Sequence, residues 1–325
     1  MSRLSAYSDA TRTWGLLEGD ALSVLAALPA GFADCVLTDP PYGIGFHDED
    51  WDGSEIHYAL GTGHPVLGAG EAFERFSCLW ANLCLRLLKP GGHLLAFGAP
   101  RTFHRLVAGV EDAGLEVRDQ VLWLFDRGLP KSRNLPGGRG TTLKPAYEPV
   151  LVARKPFAGT VMANVERHGT GALNIDPARI ARPNAPGYWP ANVATSHSPD
   201  CPVNLIDTAS PGPSRLFYCA KATREEREAG CAGLPVQPTR IYTGRHHPTR
   251  LVRNLHPTVK PVSLMRWLTR LAVPDGGLVV DPFAGSGSTG IAAVLERRRF
   301  LGIERDERYV DVACARLNHW ARRQG

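Results

Sequence analysis

Several features that would classify this chain are missing from it. Its seven cysteines (Cys35, Cys78, Cys84, Cys201, Cys219, Cys231 and Cys314) are odd in number, and no two stand in C-x-x-C spacing. That excludes a disulfide framework and a zinc ribbon as the organising element. Cys201, Cys219 and Cys231 with His246 and His247 fit the spacing of no common zinc site, so no metal is expected. No run of about 18 apolar residues occurs, and the first residues lack a charged-then-apolar leader. The expectation is a cytoplasmic protein with no membrane partner. No internal repeat is evident.

What is present is a chain of 325 residues, 43% hydrophobic, long enough to bury a sizeable core. Its formal charge of +5 is unevenly spread. Residues 127–255 hold 18 Lys and Arg against 8 Asp and Glu, a balance of +10, while the remainder holds 19 against 24, a balance of −5. A basic middle segment on an acidic body suits a polyanionic partner. The plainer alternative is that the basic residues only solvate a loop-rich stretch.

Hydrophobic periodicity gives alternating strands and helices over residues 14–126. Helical spacing covers 20–28, and Ala33–Thr38 has the continuous apolar character of a short buried strand. The stretch 71–88 is amphipathic, with Phe73, Phe76, Leu79, Leu83 and Leu87 at three- and four-residue steps. Pro90-Gly91-Gly92 is expected to turn the chain into a strand over 93–97. A helix over 101–113 stops at Gly114, and a strand follows over 117–125. Residues 43–70 show little periodicity and are expected to form a functional loop or lid. Residues 127–255 are rich in Pro, Gly, Asn and Arg, with short strands such as 149–153, and Tyr147, Trp189, Phe217 and Tyr218 as packing anchors. Alternation resumes after His256 with strands over 278–280 and 300–303, an apolar helix over 291–295 and a last helix over 306–322. Tyr309, Val312, Ala313 and Leu317 form that last helix's apolar face.

Two segments at strand ends carry chemistry. After the strand Ala33–Thr38 comes Asp39-Pro40-Pro41-Tyr42. A carboxylate, a carbonyl held at a set angle by rigid prolines, and an aromatic face together suit the grip of a flat aromatic amine. The bland reading is a proline-rich turn. After the strand over 278–280 comes Asp281-Pro282-Phe283-Ala284-Gly285-Ser286-Gly287-Ser288-Thr289-Gly290. Its glycines match the dinucleotide fingerprint, which alone is a weak signal. No Lys follows the last glycine, so it is not a phosphate-binding P-loop. Asp20, Asp39, Asp281 and Glu304 all fall at or just past the carboxyl ends of strands, where open α/β sheets place their ligands.

Together the two segments resemble the DNA amino-methyltransferases, in the permuted order of that family's beta group. Gly19-Asp20, Lys89-Pro90-Gly91-Gly92, His256-Pro257-Thr258-Val259-Lys260-Pro261 and Glu304 also fall where that group has them. The stretches 144–156, 169–180 and 217–228 resemble a phage- and prophage-type branch. The resemblance implies an α/β fold: a doubly wound, mostly parallel, Rossmann-like sheet. Residues 1–126 and 256–325 would be the catalytic and S-adenosylmethionine-binding halves, and 127–255 an inserted DNA-recognition region.

The resemblance also assigns residues. Asp39, Pro40, Pro41 and Tyr42 would hold the target base, flipped out of the duplex because its amino group is unreachable inside it. Asp281, Pro282, Phe283, Ala284, Gly285, Ser286 and Gly287 would cradle S-adenosylmethionine. Glu304 would accept hydrogen bonds from both ribose hydroxyls, and Asp20 would contact the adenine amino group. Thr258, Lys260 and Pro261 would approach the methionine end. The plainer readings are a surface lysine for Lys260 and a helix-cap neighbour for Glu304. Lys131, Arg133, Arg139, Arg245 and Arg250 are the candidate DNA contacts. Partners would be double-stranded DNA, with room for a homodimer and a cognate restriction endonuclease.

Asp at position 39 leans toward N6 of adenine, with N4 of cytosine as the alternative. Carbon-5 cytosine chemistry uses a cysteine after a proline, and here Cys201 precedes Pro202 instead. A nicotinamide oxidoreductase would leave Asp39 and the basic segment unexplained. A DNA-binding protein with a lost active site would be expected to show damaged motifs, and none is seen. Relatives acting on RNA or on protein glutamine more often carry Asn at the position of Asp39.

Overall fold

Strands that run parallel need long crossovers, and this sequence supplies helices for them. The computed structural model describes residues 6–9, 13–44, 52, 56, 69–125, 134–180, 185–196, 216–239 and 250–323. The strands are β1 (Ala6–Ser8), β2 (Trp14–Glu18), β3 (Ala33–Thr38), β4 (Leu88–Phe97), β5 (Glu116–Leu124), β6 (Asn134–Leu135), β7 (Arg139–Gly140), β8 (Tyr147–Arg154), β9 (Val193–Thr195), β10 (Phe217–Tyr218), β11 (Gln237–Thr239), β12 (Arg250–Val252), β13 (Leu278–Asp281) and β14 (Arg299–Glu304). The helices are α1 (Ala21–Ala27), α2 (Ala69–Leu87), α3 (Phe103–Asp112), α4 (Val161–His168), α5 (Ile175–Ala178), α6 (Arg224–Glu228), α7 (Val262–Ala272), α8 (Ser288–Leu295) and α9 (Glu307–Ala321).

Ten strands form one sheet in the order β1-β2-β14-β13-β3-β4-β8-β5-β9-β10. Within it β1 and β8 run against the rest. The sheet is therefore mostly parallel and wound on both faces, as expected. The decisive neighbours are β13 and β3, paired in parallel through Val279↔Cys35 and Val280↔Val36. That pairing sets the two strand-end motifs side by side.

Alternate residues of each central strand face opposite layers, so these strands are apolar on both sides. Cys35 and Leu37 of β3, with Leu95 and Phe97 of β4, pack with α7, α8 and α9. Val36, Leu94 and Ala96 pack with α1, α2 and α3. Cys35 is core, as expected. Phe73, Phe76 and Leu87 of α2 are buried as expected, but Trp80, Ala81 and Cys84 are inside as well, and Leu79 is 38% exposed. Pro90-Gly91-Gly92 does not precede β4 but lies within it, as an irregularity where the β3 register jumps from Ala33↔Leu88 to Cys35↔His93. The interruption is held open by donors to the Pro90 carbonyl, Asn164 Nδ2 at 2.9 Å and Thr170 Oγ1 at 2.6 Å.

The basic segment 127–255 is not wholly outside the sheet. It contributes β8 between β4 and β5, and β9 and β10 at one edge. Most of the expected lid over 43–70 lies outside the described residues, as do Cys201, His246 and His247. Among the described residues no helix is long and apolar enough to cross a membrane, and no group of side chains could hold a metal ion.

At the amino-terminal end of β3, Asp34 is buried and joins three strands. It accepts from Lys89 Nζ of β4 at 2.6 Å and from the Leu278 N–H of β13 at 2.7 Å. Asp34→Ala leaves both donors unmet, and is expected to cost about 2–3 kcal/mol of stability. Urea unfolding measures this, and a loss near zero would show that the staple contributes nothing to joining β13 and β3.

Candidate active site

Because the parallel strands end together, four acids reach one edge of the sheet. Asp20 follows β2, Asp39 follows β3, and Asp281 and Glu304 end β13 and β14. Two short contacts join them: Gly19 N donates to Glu304 O at 2.9 Å, and Thr38 Oγ1 donates to Asp281 Oδ1 at 2.7 Å. The second links the last residue of β3 to the start of the Gly-rich turn.

Asp39 is the centre of a buried polar cluster. The Tyr42 hydroxyl donates to its Oδ1 at 2.6 Å, and Lys260 Nζ donates to its Oδ2 at 2.5 Å. Lys260 also lies 3.3 Å from the Tyr42 hydroxyl and 3.5 Å from Glu148 Oε2. Its side chain is only 7% exposed, so the surface-lysine reading is wrong. Burial alone would push the Lys260 ammonium down, but the Asp39 and Glu148 carboxylates outweigh it and hold the group charged. Burial, then the carboxylates of Asp39 and Glu148, raise the Tyr42 phenol well above its usual range, so it stays a donor.

The backbone of this motif is pinned from two sides. Asp52 accepts from the N–H groups of Tyr42 at 2.5 Å, Gly43 at 2.8 Å and Ile44 at 3.2 Å. Thr102, just ahead of α3, donates to the Tyr42 carbonyl at 2.7 Å. The segment that carries Lys260 is gripped in turn by α6. Glu226 accepts from the Val262 N–H at the start of α7 at 2.5 Å, and Arg227 donates to the His256 carbonyl at 2.9 Å. Thr258 lies on this gripped segment, and Pro261 occupies the cap of α7, where its missing N–H leaves no donor unmet.

The Gly-rich turn is shaped by its own neighbours. Gly285 has φ +52°, and a β-carbon there would come within 2.5 Å of His256 Nε2. Gly287 caps α8 with φ +76°, and a β-carbon there would meet Ala313 of α9 at 3.3 Å. So the side-chain direction at Gly287 points into α9 packing. Glu304 accepts from Gly285 N through Oε2 at 2.8 Å, and from Arg305 N and Asp306 N through Oε1 at 2.8 and 2.9 Å. Arg316, fully buried in α9, donates to the Ser286 carbonyl at 2.6 Å. Burial lowers its guanidinium to about 10. Phe283 packs against Phe76 and Trp80 of α2, and Pro282 and Ala284 are buried or nearly so. Asp20 caps α1, accepting from the Ser23 N–H at 2.9 Å.

The candidate DNA contacts are not gathered in this way. Arg139 on β7 and Arg250 on β12 are exposed, while Lys131, Arg133 and Arg245 lie outside the described residues. Residues that the sequence reading missed are Glu148, Asp52, Thr102, Glu226, Arg227 and Arg316. Glu148 had a signal, an acid beside the apolar run of β8. In sequence that run reads only as a short strand of the insert, and because β8 is antiparallel its first residues reach the edge where the four acids stand.

The chain is similar to known proteins over most of its length. A family model described as DNA methylase, for N6 and N4 enzymes, matches residues 33–315. The Type II methyltransferase M.HindIII of Haemophilus influenzae is 24% identical, over 93% of this chain and 94% of that one. M.HpaI of Haemophilus parainfluenzae is 23% identical, over 93% of this chain and 74% of that one. The solved PvuII DNA methyltransferase (cytosine-N4-specific) has a TM-score of 0.58 at 17% identity, over 93% of this chain and 86% of that one, a likeness of fold.

Burial pushes the Asp281 carboxyl up to about 6, against hydrogen bonds from Thr289 and Thr38. A raised folded-state pKa favours the protonated fold, so that contribution is present below about 4 and is lost as pH rises through about 6. Asp281→Asn cannot ionise and keeps an acceptor. It should therefore gain stability relative to the native chain between about pH 4 and about pH 8, by up to about 3 kcal/mol. Urea unfolding at the two pH values measures the gap, and a gap independent of pH would refute the assignment.

Proposed function

This chain belongs to the N6/N4 DNA methylase family, and from that premise we propose that it transfers a methyl group from S-adenosylmethionine to the N6 amino group of adenine in duplex DNA. The observation that carries the reading is the placement of the Asp39–Tyr42 motif beside the Gly-rich turn, joined by the Thr38–Asp281 hydrogen bond. S-adenosylmethionine, when bound, supplies a methyl group on a positively charged sulfur.

The residues at this edge fit that cofactor. Asp20, just past β2, and Glu304, the last residue of the adjacent parallel strand β14, lie at one edge, and Glu304 binds the N–H of Gly285 in the glycine turn. A carboxylate has about four lone-pair sites, and three at Glu304 already hold backbone N–H groups, which leaves room for one ribose hydroxyl rather than two. Thr258 and Pro261 lie on the segment that reaches from this turn toward Asp39. Lys260 itself acts on the target-base side, through Asp39.

Asp39 and the Pro40 carbonyl accept hydrogen bonds from the target amino group, drawing its nitrogen toward a tetrahedral, nucleophilic state. With the donor bound, the nitrogen lone pair would form the new N–C bond as the carbon–sulfur bond breaks, and the nitrogen would carry the positive charge. Both hydrogen bonds strengthen as that charge develops, so they favour the transition state. The nitrogen then releases one proton, and Asp39 is the base beside it. Tyr42 offers a ring on which the flipped base stacks.

The second reading is N4 of cytosine, an amino group of the same chemistry that the family model also spans. Asp rather than Ser at position 39 supports adenine. The Type II relatives support a place beside a cognate restriction endonuclease, and the basic segment 127–255 supports contact with the DNA backbone.

With labelled S-adenosylmethionine and unmodified DNA, the native protein should place acid-stable label in DNA, found as N6-methyladenine by nucleoside mass spectrometry. Asp39→Ala should lower turnover by roughly a hundredfold or more, the loss of about 3–4 kcal/mol of transition-state stabilisation. Methylcytosine alone would hand the case to the second reading, and full turnover by the variant would make Asp39 structural.

Exposed Arg139 and Arg250 should contact phosphates. Alanine at both should weaken binding to all DNA sequences and flatten its salt dependence, by roughly 0.9 in slope for each phosphate left without its arginine. Affinity measured across a salt series tests this. Unchanged affinity and slope would move the DNA path to another face.

A further inference from the structure

Beside Asp39 stands a second carboxylate that neither motif contains. Glu148 enters from β8, whose strand is locked between β4 and β5, and Pro149 follows it in the chain. Its Oε2 is buried, 3.5 Å from Lys260 Nζ, and has no aligned hydrogen bond among the described residues. Lys260 is already paired with Asp39 at 2.5 Å. Asp39 already balances the Lys260 charge one for one, so Glu148 adds a carboxylate beyond that balance. Two carboxylates around one ammonium, with the Tyr42 phenol protonated, leave the cluster with one excess negative charge.

We infer that Glu148 keeps this pocket negative, to match the positive charge that passes from donor sulfur to target nitrogen. The assignment rests on the methyl-transfer reading. Direct transfer needs the reacting atoms about 3–3.5 Å apart, so the charge on either atom lies close to whatever group holds the amine. If Lys260 faced Asp39 alone, the two would form a neutral pair. Glu148, 3.5 Å from the same ammonium, adds a second carboxylate to that pair. The charge matters at both stages: it attracts a cationic donor before transfer, and it stabilises a cationic amine after it.

The test compares two ligands of nearly equal shape. Sinefungin carries an amine, protonated near neutral pH, where the donor carries its methylated sulfur. S-adenosylhomocysteine carries a neutral thioether there. Calorimetry on the native protein, Glu148→Gln and Glu148→Asp gives the affinity of each ligand. The preference for sinefungin should fall roughly tenfold in Glu148→Gln, because one negative charge is removed from a largely buried cluster. Affinity for S-adenosylhomocysteine should hold, and Glu148→Asp should restore most of the preference. In turnover, Glu148→Gln should lower kcat with little change in the KM for DNA. A native preference retained by Glu148→Gln overturns the assignment. Equal loss of both ligands also overturns it, because that is the mark of a purely structural role. Native protein that binds neither ligand overturns the methyl-transfer reading, and this assignment with it.

Discussion

A single buried ammonium joins the two halves of this chain. Lys260 sits 221 positions from Asp39 in sequence and 2.5 Å from it in space. A charge taken out of water is tolerated only when its partners are held in good geometry, and losing one partner leaves the other uncompensated. Each partner is therefore fixed by a rigid element. Asp39 is placed by β3 and tied down by Asp52 and Thr102, Glu148 by β8, and Lys260 by a segment that α6 grips. With β13 beside β3 and β8 beside β4, the three groups meet.

The Gly-rich turn is held by the same strategy, from beneath. A tight turn ahead of a buried helix leaves carbonyls and N–H groups with no strand partners, and each must be met. Glu304 meets the Gly285 N–H, and Arg316 meets the Ser286 carbonyl from inside the core. The glycines then satisfy packing within the protein: His256 crowds Gly285, α9 crowds Gly287, and the Phe300 ring would lie 2.6 Å from a β-carbon at Gly290. That last approach is the close helix-to-strand packing expected of the third glycine in such a turn. The motif is thus a folding solution in its own right.

This division explains what could be read from sequence. Local signals were legible. β3 runs over the residues its apolar pattern marks, and the acids at strand ends share one edge. Phase and long-range pairing were less so. Leu79 fits a three- and four-residue step as well as Trp80 does, and only the sheet beneath α2 decides between them. Pro90-Gly91-Gly92 signals a turn in isolation, yet pairing with β3 on one side and β8 on the other absorbs it into a strand. Glu148 escaped because strand-end reasoning assumes parallel strands, and β8 runs the other way. Asp52, Arg227 and Arg316 escaped because polar residues that serve distant backbone groups carry no periodic signature.

The connection between the two motifs is also more direct than their separation suggests. The segment 256–260 touches both. His256 fills the space above Gly285 and packs edge-on against Tyr309 of α9, with ring centroids 4.7 Å apart. Burial and the nearby Arg227 and Lys260 charges hold the His256 imidazole neutral, with its pKa lowered to about 3. It therefore adds bulk to the turn without adding charge to the cluster. Four residues later the same backbone delivers Lys260 to Asp39. On the other side Thr38 ties the end of β3 to Asp281. The turn and the Asp39–Tyr42 motif are thus two ends of one packed unit, joined through a neutral ring on one side and a hydrogen bond on the other. Packed units of this kind shift together rather than deform piecewise, so a displacement at Gly285 is felt at the Asp39 carboxylate.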